Sequence, residues 1–165
     1  MLSNAGYAAA TYILSIGDRH MENLMVMPTG HMFHLDFGWI LGKEPAGKLC
    51  TPMIRIDPAM VKGMGGQGSE GYETFKQKAI DAILYLRRFR LLTLNLILLM
   101  IHAGLDCLTE RDFESTLIKM NDRFLPNLSN TAARQRCAEI IDECVEANWS
   151  DAQEWVHRLM VRIKN

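Results

Sequence analysis

The sequence predicts a mainly α-helical domain with one short β-hairpin near its N-terminus. Three observations carry that expectation. From residue 70 onward apolar side chains recur at helical spacing, as in Tyr72, Phe75, Ala79, Ile83 and Leu86. Two four-residue apolar runs, LMVM at 24–27 and MFHL at 32–35, flank Pro28-Thr29-Gly30-His31, which has the composition of a turn. With 48% hydrophobic and 22% charged residues, a chain of 165 can bury one core without disulfide or metal staples.

Taken in order, residues 3–16 are Ala-rich and apolar on one side, which predicts a helix closed by Gly17. The hairpin follows, with a four-residue loop at 28–31. Residues 37–58 hold three prolines and three glycines without a clear period, which predicts a long, mobile loop. A helix opens near 70, and Arg87, Arg88 and Arg90 read as its solvated end. A buried helix is expected over roughly 91–102, ended by Gly104. Thr109 with Asp112 resembles a capping box opening a helix that carries Phe113, Leu117, Met120 and Phe124. Over 131–149, Cys137, Ile140, Ile141, Cys144 and Val145 share one face, and Ser150 with Gln153 caps a last helix over about 151–165. No internal repeat or linker divides the chain.

The charge balance, 18 Lys+Arg against 19 Asp+Glu, excludes a globally polycationic nucleic-acid binder, and no nucleic-acid partner is expected. Cysteines at 50, 107, 137 and 144 form no CxxC pair and lack His at zinc spacing. That predicts reduced thiols and a cytosolic or nuclear compartment. No basic-then-apolar signal peptide opens the chain. The most apolar run, Leu91 to Ile101, is about half the ~20 residues that a membrane span needs, so a soluble domain is expected.

Chemistry concentrates in Gly17-Asp18-Arg19-His20-Met21-Glu22-Asn23 and, thirteen residues after Asn23, in Asp36-Phe37-Gly38. If Met27 pairs with Met32, then Asn23 faces Asp36 across the hairpin, at the ~4.5–5.5 Å of opposed Cα atoms. An amide oxygen and a carboxylate so placed suit Mg²⁺ holding phosphates. The Asp18 carboxylate and His20 imidazole, just before, are candidates for orienting or deprotonating an attacking hydroxyl. His31 and His34 read as turn and strand residues. Gly63-Met64-Gly65-Gly66-Gln67-Gly68 matches G-x-G-x-x-G, but Asp57-Pro58-Ala59-Met60 precedes it where a dinucleotide fingerprint needs a strand. It reads as a flexible connector.

Protein kinases carry H-R-D-x-x-x-x-N followed by D-F-G. Here the Asp-x4-Asn spacing is kept from Asp18 to Asn23, but His follows Arg. That D-R-H-x-x-N order resembles the phosphoinositide 3-/4-kinase family and its large protein-kinase relatives. The stretches GHMFHLDFGWILGKEP (30–45), KGMGGQGSEGYETF (62–75) and ILYLRRFRLLTLNLILLM (83–100) resemble class III phosphatidylinositol 3-kinase catalytic subunits. The resemblance covers nearly the whole chain and is strongest from 17 to 45.

The resemblance implies the C-terminal lobe of a protein-kinase-like fold, with a catalytic loop at about 17–25 and an activation loop at about 36–58. It implies ATP-dependent phosphorylation of phosphatidylinositol at the inositol 3-hydroxyl. Asp18 and His20 would be the catalytic acid and base, with His20 the favoured base, and Arg19 would brace the loop. Asn23 and Asp36 would hold the Mg²⁺ or Mn²⁺ of metal–ATP, and Met25 and Leu35 would floor the adenine pocket. Phe37, Gly38, Lys43, Lys48 and Arg55 belong to the loop that reads the lipid head group. Its cations Lys43, Lys48 and Arg55 are offset by Glu44 and Asp57, and this sparse charge suits a head group without extra phosphates. The loop departs from the class III pattern at Ala46-Gly47-Lys48-Leu49-Cys50-Thr51, where a proline-rich run is usual. Alternatives are a phosphatidylinositol 4-kinase, a large Ser/Thr protein kinase, or a non-catalytic binding module derived from the lobe.

In the last helix Trp155, Val156, Leu159, Met160 and Ile163 span an arc of about 140° at 100° per residue, flanked by His157, Arg158, Arg162 and Lys164. Such a basic amphipathic helix suits an anionic bilayer, with Trp155, Arg158, Leu159, Arg162 and Ile163 as contacts, or packing on its own domain. The catalytic loop begins only 18 residues from Met1, so the lobe that grips nucleotide phosphates is expected to be missing. The isolated chain is then expected to be weakly active or inactive. The resemblance also implies a regulatory protein-kinase-like subunit and an adaptor, and a cytoplasmic enzyme peripheral on endosomal or autophagic membranes.

Overall fold

The structure, a computed structural model, describes residues 1–44, 52–106 and 108–147. Its elements are α1 (Leu2–Leu14), a 3₁₀ turn (Met21–Asn23), β1 (Leu24–Val26), β2 (Met32–His34), α2 (Pro58–Gly63), α3 (Glu70–Arg87), α4 (Arg90–Leu99), α5 (Phe113–Arg123) and α6 (Asn130–Glu146). The two strands form one antiparallel sheet. The last helix expected over 151–165, with Ser150, Gln153 and the membrane-contact residues Trp155, Arg158, Leu159, Arg162 and Ile163, lies outside the described residues, as do Lys48, Cys50 and Cys107.

The main core is made by α1, α3 and α6. Ala5, Ala8 and Ala9 keep one face of α1 small, so that Tyr72, Phe75, Ala79, Ile80 and Ile83 of α3 bury against it. Cys137, Ile140 and Ile141 of α6 close the other side with Phe124. Both long helices start on a serine cap. The Ser69 hydroxyl accepts from the Tyr72 N–H at 3.1 Å, and the Ser129 hydroxyl from the Ala132 N–H at 3.1 Å. Cys137 and Cys144 are buried free thiols, and burial pushes the Cys137 thiol up to about 11. A smaller cluster of Leu41, Ile97, Leu108 and Met120 joins α4 and α5 to the chain following the hairpin. No helix among the described residues is long and apolar enough to cross a membrane.

Several expectations are corrected. α1 stops at Leu14, not at Gly17, because Ser15 turns left-handed (φ 45°) and the Ile16 N–H returns to the Thr11 carbonyl at 3.2 Å. The segment expected as loop to residue 58 is held from 54 onward: Ile54, Arg55, Ile56 and Asp57 are buried, and Pro58 opens α2. The glycine motif does connect into the helix at 70, as a turn between α2 and α3 with Gly65, Gly66 and Gly68 all at positive φ. α5 opens at Phe113 without a capping box: the Thr109 hydroxyl meets the Asp112 carboxylate at 3.4 Å instead of a backbone N–H.

α4 is not buried. Only Ile97 is enclosed, while Leu91, Leu92, Leu96 and Leu99 are each more than half exposed, because α4 packs chiefly along one face against α5. The arginines after α3 are not simply solvated either. Arg87 donates from Nε to the Phe124 carbonyl at 3.0 Å and from Nη2 to the Leu125 carbonyl at 3.2 Å. It also reaches the Leu128 carbonyl and the Asn130 side chain, tying the α5–α6 connection to α3. Arg90 holds Asn121, and Arg88 lies over the Tyr85 ring.

Arg87→Ala is therefore expected to lower unfolding stability by about 2 kcal/mol, since charged hydrogen bonds contribute ~1.5–3 kcal/mol. Arg88→Ala should change it by less than about 0.5 kcal/mol, and urea unfolding of the two variants checks the contrast.

Candidate functional site

The site grows from the chain as it leaves α1. Gly17 passes directly under residues 43 and 44: a Cβ there would lie 2.6 Å from the Lys43 carbonyl oxygen and 2.8 Å from the Glu44 carboxylate. The residue is glycine because of this close approach. Its N–H donates to the Trp39 carbonyl at 2.7 Å, which keeps the two segments together.

Asp18 follows with φ 50°, a left-handed conformation that Asp tolerates better than most side chains. Its N–H donates to Glu44 Oε2 at 3.1 Å. Asn23 then folds back: its Nδ2 donates to the Asp18 carbonyl at 2.9 Å and to Asp18 Oδ2 at 3.3 Å. The other carboxylate oxygen, Oδ1, lies 3.7 Å from His20 Nε2. His20 is 6% exposed, whereas the Asp18 side chain keeps 22% of its surface open. Asp18, His20 and Asn23 are thus brought together as one cluster.

Arg19 turns inward and is 2% exposed. It donates to the carbonyls of Pro52 and of Met53 (3.4 Å) and lies 3.9 Å from Glu44 Oε1. Burial pushes its guanidinium below the ordinary value. Arg55 lies behind it, donating to the Arg19 carbonyl and gripping Asp57 through Nε–Oδ2 at 2.9 Å and Nη2–Oδ1 at 3.1 Å. The expectation that Arg55 faces a head group is corrected: it is 3% exposed and braces the loop from within. Lys43 is tied to Asp112 at 3.0 Å, with 40% of its side chain open.

The hairpin register also differs from expectation. Leu24 pairs with His34, Met25 with Phe33 and Val26 with Met32. Met27 and Gly30 close a three-residue loop: the Met27 N–H donates to the His31 carbonyl and the Gly30 N–H to the Met27 carbonyl, both at 2.8 Å. Gly30 takes the left-handed position (φ 79°) that such loops require. Asn23 therefore lies across from Leu35, whose N–H donates to the Asn23 carbonyl at 3.0 Å, and Asp36 falls one residue beyond. Asp36 Oδ1 accepts the Gly38 N–H at 2.7 Å, an Asx turn that aims the chain away from the strand.

This register sorts the hairpin by face. Met32 and His34 point inward, where Ser3 exchanges two 2.8 Å hydrogen bonds with the Met32 backbone and Tyr7 stacks on His34. Phe37 closes on the His34 ring edge at 5.3 Å. Burial holds the His34 imidazole below its ordinary value. Met25, Met27, Phe33 and Leu35 point outward, all substantially exposed, and Phe37, packed against His34, is itself 56% exposed.

Two site residues escaped the sequence reading. Glu44 orders Asp18 across 26 positions, and Asp57 neutralises Arg55; both stood in the sequence only as charges in a loop. No local spacing could have found Glu44.

The donor set fits a hard divalent cation. The Asn23 amide nitrogen is committed to Asp18, which leaves its carbonyl oxygen as a ligand, and Asp36 keeps Oδ2 beside its Asx turn. Among the described residues no group of three or more His, Cys, Asp or Glu could hold a metal alone. An amide and a carboxylate suit a cation whose other ligands are phosphates and water.

Comparison with known proteins fits this chemistry. The family model described as Phosphatidylinositol 3- and 4-kinase matches residues 1–110. Phosphatidylinositol 3-kinase pik3 of Schizosaccharomyces pombe is 37% identical over 157 residues, covering 95% of this chain and 19% of that protein. Phosphatidylinositol 3-kinase VPS34 of Saccharomyces cerevisiae is 36% identical over 157 residues, 95% of this chain and 18% of its own. The Caenorhabditis elegans phosphatidylinositol 3-kinase catalytic subunit type 3 is 36% identical over 156 residues, 94% of this chain and 17% of its own. The chain thus spans about a fifth of the length of the relatives it matches.

Two predictions follow from the buried groups. Arg55→Met should cost about 3–5 kcal/mol, because it strands the buried Asp57 carboxylate, whereas Lys43→Met should cost less than about 1 kcal/mol. Urea unfolding distinguishes the two. For His34, the unfolded imidazole takes its proton near the ordinary ~6.5 while the buried one resists. The unfolded chain then binds more protons, so stability falls as pH drops below that value. His34→Gln should flatten this acid-side slope in urea melts between about pH 7.5 and 5.5.

Proposed function

The chain belongs to the phosphatidylinositol 3- and 4-kinase family, and on that premise we propose that it carries the catalytic loop and metal-binding hairpin for ATP-dependent phosphorylation of phosphatidylinositol at the inositol 3-hydroxyl, giving phosphatidylinositol 3-phosphate. The observation that carries this reading is the Asp18–His20–Asn23 cluster, followed by Asp36 just past the hairpin. The names of the yeast relatives support the 3-position. The helical body would serve as the C-terminal lobe of a protein-kinase-like fold, working against a lobe that grips the nucleotide phosphates.

In this reading His20 takes the proton from the attacking hydroxyl, and the Asp18 carboxylate beside it steadies the imidazolium that forms. Arg19 positions both: Arg55 donates to its backbone carbonyl, and the Pro52 and Met53 carbonyls accept from its guanidinium. Asn23 and Asp36 would hold Mg²⁺ or Mn²⁺ together with ATP. When bound, such a cation neutralises charge on the transferring phosphoryl group. Met25 and Leu35, on the outward face with Met27 and Phe33, offer an apolar floor for adenine. Phe37 and Gly38 open the loop toward the lipid, in which Lys43 and Lys48 are the candidates for the head group.

Phosphatidylinositol in a membrane is the proposed partner, with the basic amphipathic segment carrying Trp155, Arg158, Leu159, Arg162 and Ile163 as its contact. A regulatory protein-kinase-like subunit, an adaptor, and a cytoplasmic site on endosomal or autophagic membranes complete the proposal.

The test replaces the matching segment of the fission-yeast relative with this chain and supplies ATP, Mg²⁺ and phosphatidylinositol vesicles. The expected product is the 3-phosphate, identified by chromatography of the deacylated lipid. His20→Asn should lower kcat by about 10²–10⁴-fold, the range of a lost general base, with little change in KM for ATP. A 4-phosphate or phosphoprotein product, or full activity in Asp36→Asn, would overturn the assignment.

A further inference from the structure

Beside Arg19 lies a cavity of about 420 Å³. The end of α1, the 41–44 and 52–53 segments, the end of α5 and the middle of α6 enclose it. Four cations line it, Arg19, Lys119, Arg123 and Arg136, against two carboxylates, Glu44 and Asp122. The balance is more positive than it first looks, because Glu44 already accepts the Asp18 N–H and faces Arg19. Arg136 is partly neutralised from outside the cavity by Glu139 and Glu143.

Two donors stand out. Arg123 Nη1 and Arg19 Nε are both screened from solvent, and among the described residues neither has a hydrogen-bond partner. No described carboxylate comes within ion-pairing distance of Arg123, whose guanidinium lies 5.2 Å over the Tyr12 ring. Burial pushes the Arg123 guanidinium below its ordinary value, and among the described residues no carboxylate is close enough to offset it. Buried donors without acceptors are rare and costly, and a planar guanidinium fork is best satisfied by a phosphate or carboxylate. The cavity is near the lower end of ligand-pocket volumes, and Tyr12, Ile16, Leu41 and Ile140 give it an apolar wall.

We infer that this cavity binds a small phosphate-bearing anion, with Arg123 as its principal donor and Arg19 beneath it. The site is separate from the nucleotide face proposed above, since none of Asn23, Met25, Leu35 or Asp36 lines it. It does not depend on the proposed reaction. It does share Arg19 with the catalytic loop, so an occupant would meet the same side chain that holds the loop from below.

The probe is pyrophosphate, titrated calorimetrically into the 165-residue chain at fixed ionic strength without divalent metal. One saturable site is expected. Arg123→Gln should weaken it at least tenfold, whereas Arg111→Gln, at an exposed arginine before α5, should change it less than twofold. Arg123→Lys keeps the charge but loses the fork, and should weaken binding at least threefold; it carries the test if the Gln variant fails to fold. Amide shift changes on titration should centre on Tyr12, Arg123 and Leu125. Absence of saturable binding, equal loss in the Arg111 and Arg123 variants, or shifts centred on Asn23 and Asp36 would each overturn the inference.

Discussion

The close pass of residues 43–44 over Gly17 is the constraint from which the site is assembled. With no Cβ at Gly17, the Glu44 carboxylate comes near enough to take the Asp18 N–H, and that contact holds Asp18 in a left-handed conformation. A residue held in this region costs of order 1 kcal/mol or more and persists only where its surroundings over-determine it. Here they do so twice, because Asn23 also closes on the Asp18 carbonyl and carboxylate. Asp18, His20 and Asn23 are therefore gathered into one cluster by contacts within the chain itself.

Beneath the loop runs a chain of charges. Glu44 faces Arg19, the Arg19 carbonyl accepts from Arg55, and Arg55 is bound in a fork by Asp57. The Arg55–Asp57 pair is buried, and buried charges are retained only when paired and hydrogen-bonded. The segment after residue 52 is thus an anchor as much as a loop. It ends at Pro58, where α2 and the glycine turn lead the chain into α3 and the main core. The Asp18–Asn23 segment is attached to that core through α1, whose alanines let α3 come close.

Much of this was legible in the sequence. The helical periods at 72–86 and 137–145 reported the core faces of α3 and α6, because those helices bury one stripe each. The order Asp18-Arg19-His20, then Asn23, then Asp36-Phe37-Gly38 pointed to the phosphatidylinositol 3- and 4-kinase family, whose model matches residues 1–110, because those motifs are short and local in the chain. The apolar run at 91–101 misled: composition reports what can be buried, and only the packing of α4 against α5 decides how much of it is. The hairpin register misled by one residue, because Gly30 takes a left-handed position and lets His31 join the ladder as the partner of Met27.

The sequence alone determined the long helices α3 and α6 and the presence of the hairpin, since helical period and turn composition are local and depend on near neighbours. The tertiary structure decided which charges act outward and which act inward. Arg55 looks in sequence like a cation for a head group, and so does Lys43. Asp57 and the Arg19 carbonyl hold the one inside, whereas the other keeps 40% of its side chain open while meeting Asp112, 69 positions away. Glu44 becomes the organiser of the site only because Gly17, 27 positions earlier, leaves room for it. Partners so far apart in the chain are chosen by the closing of the core, and no local pattern records that choice.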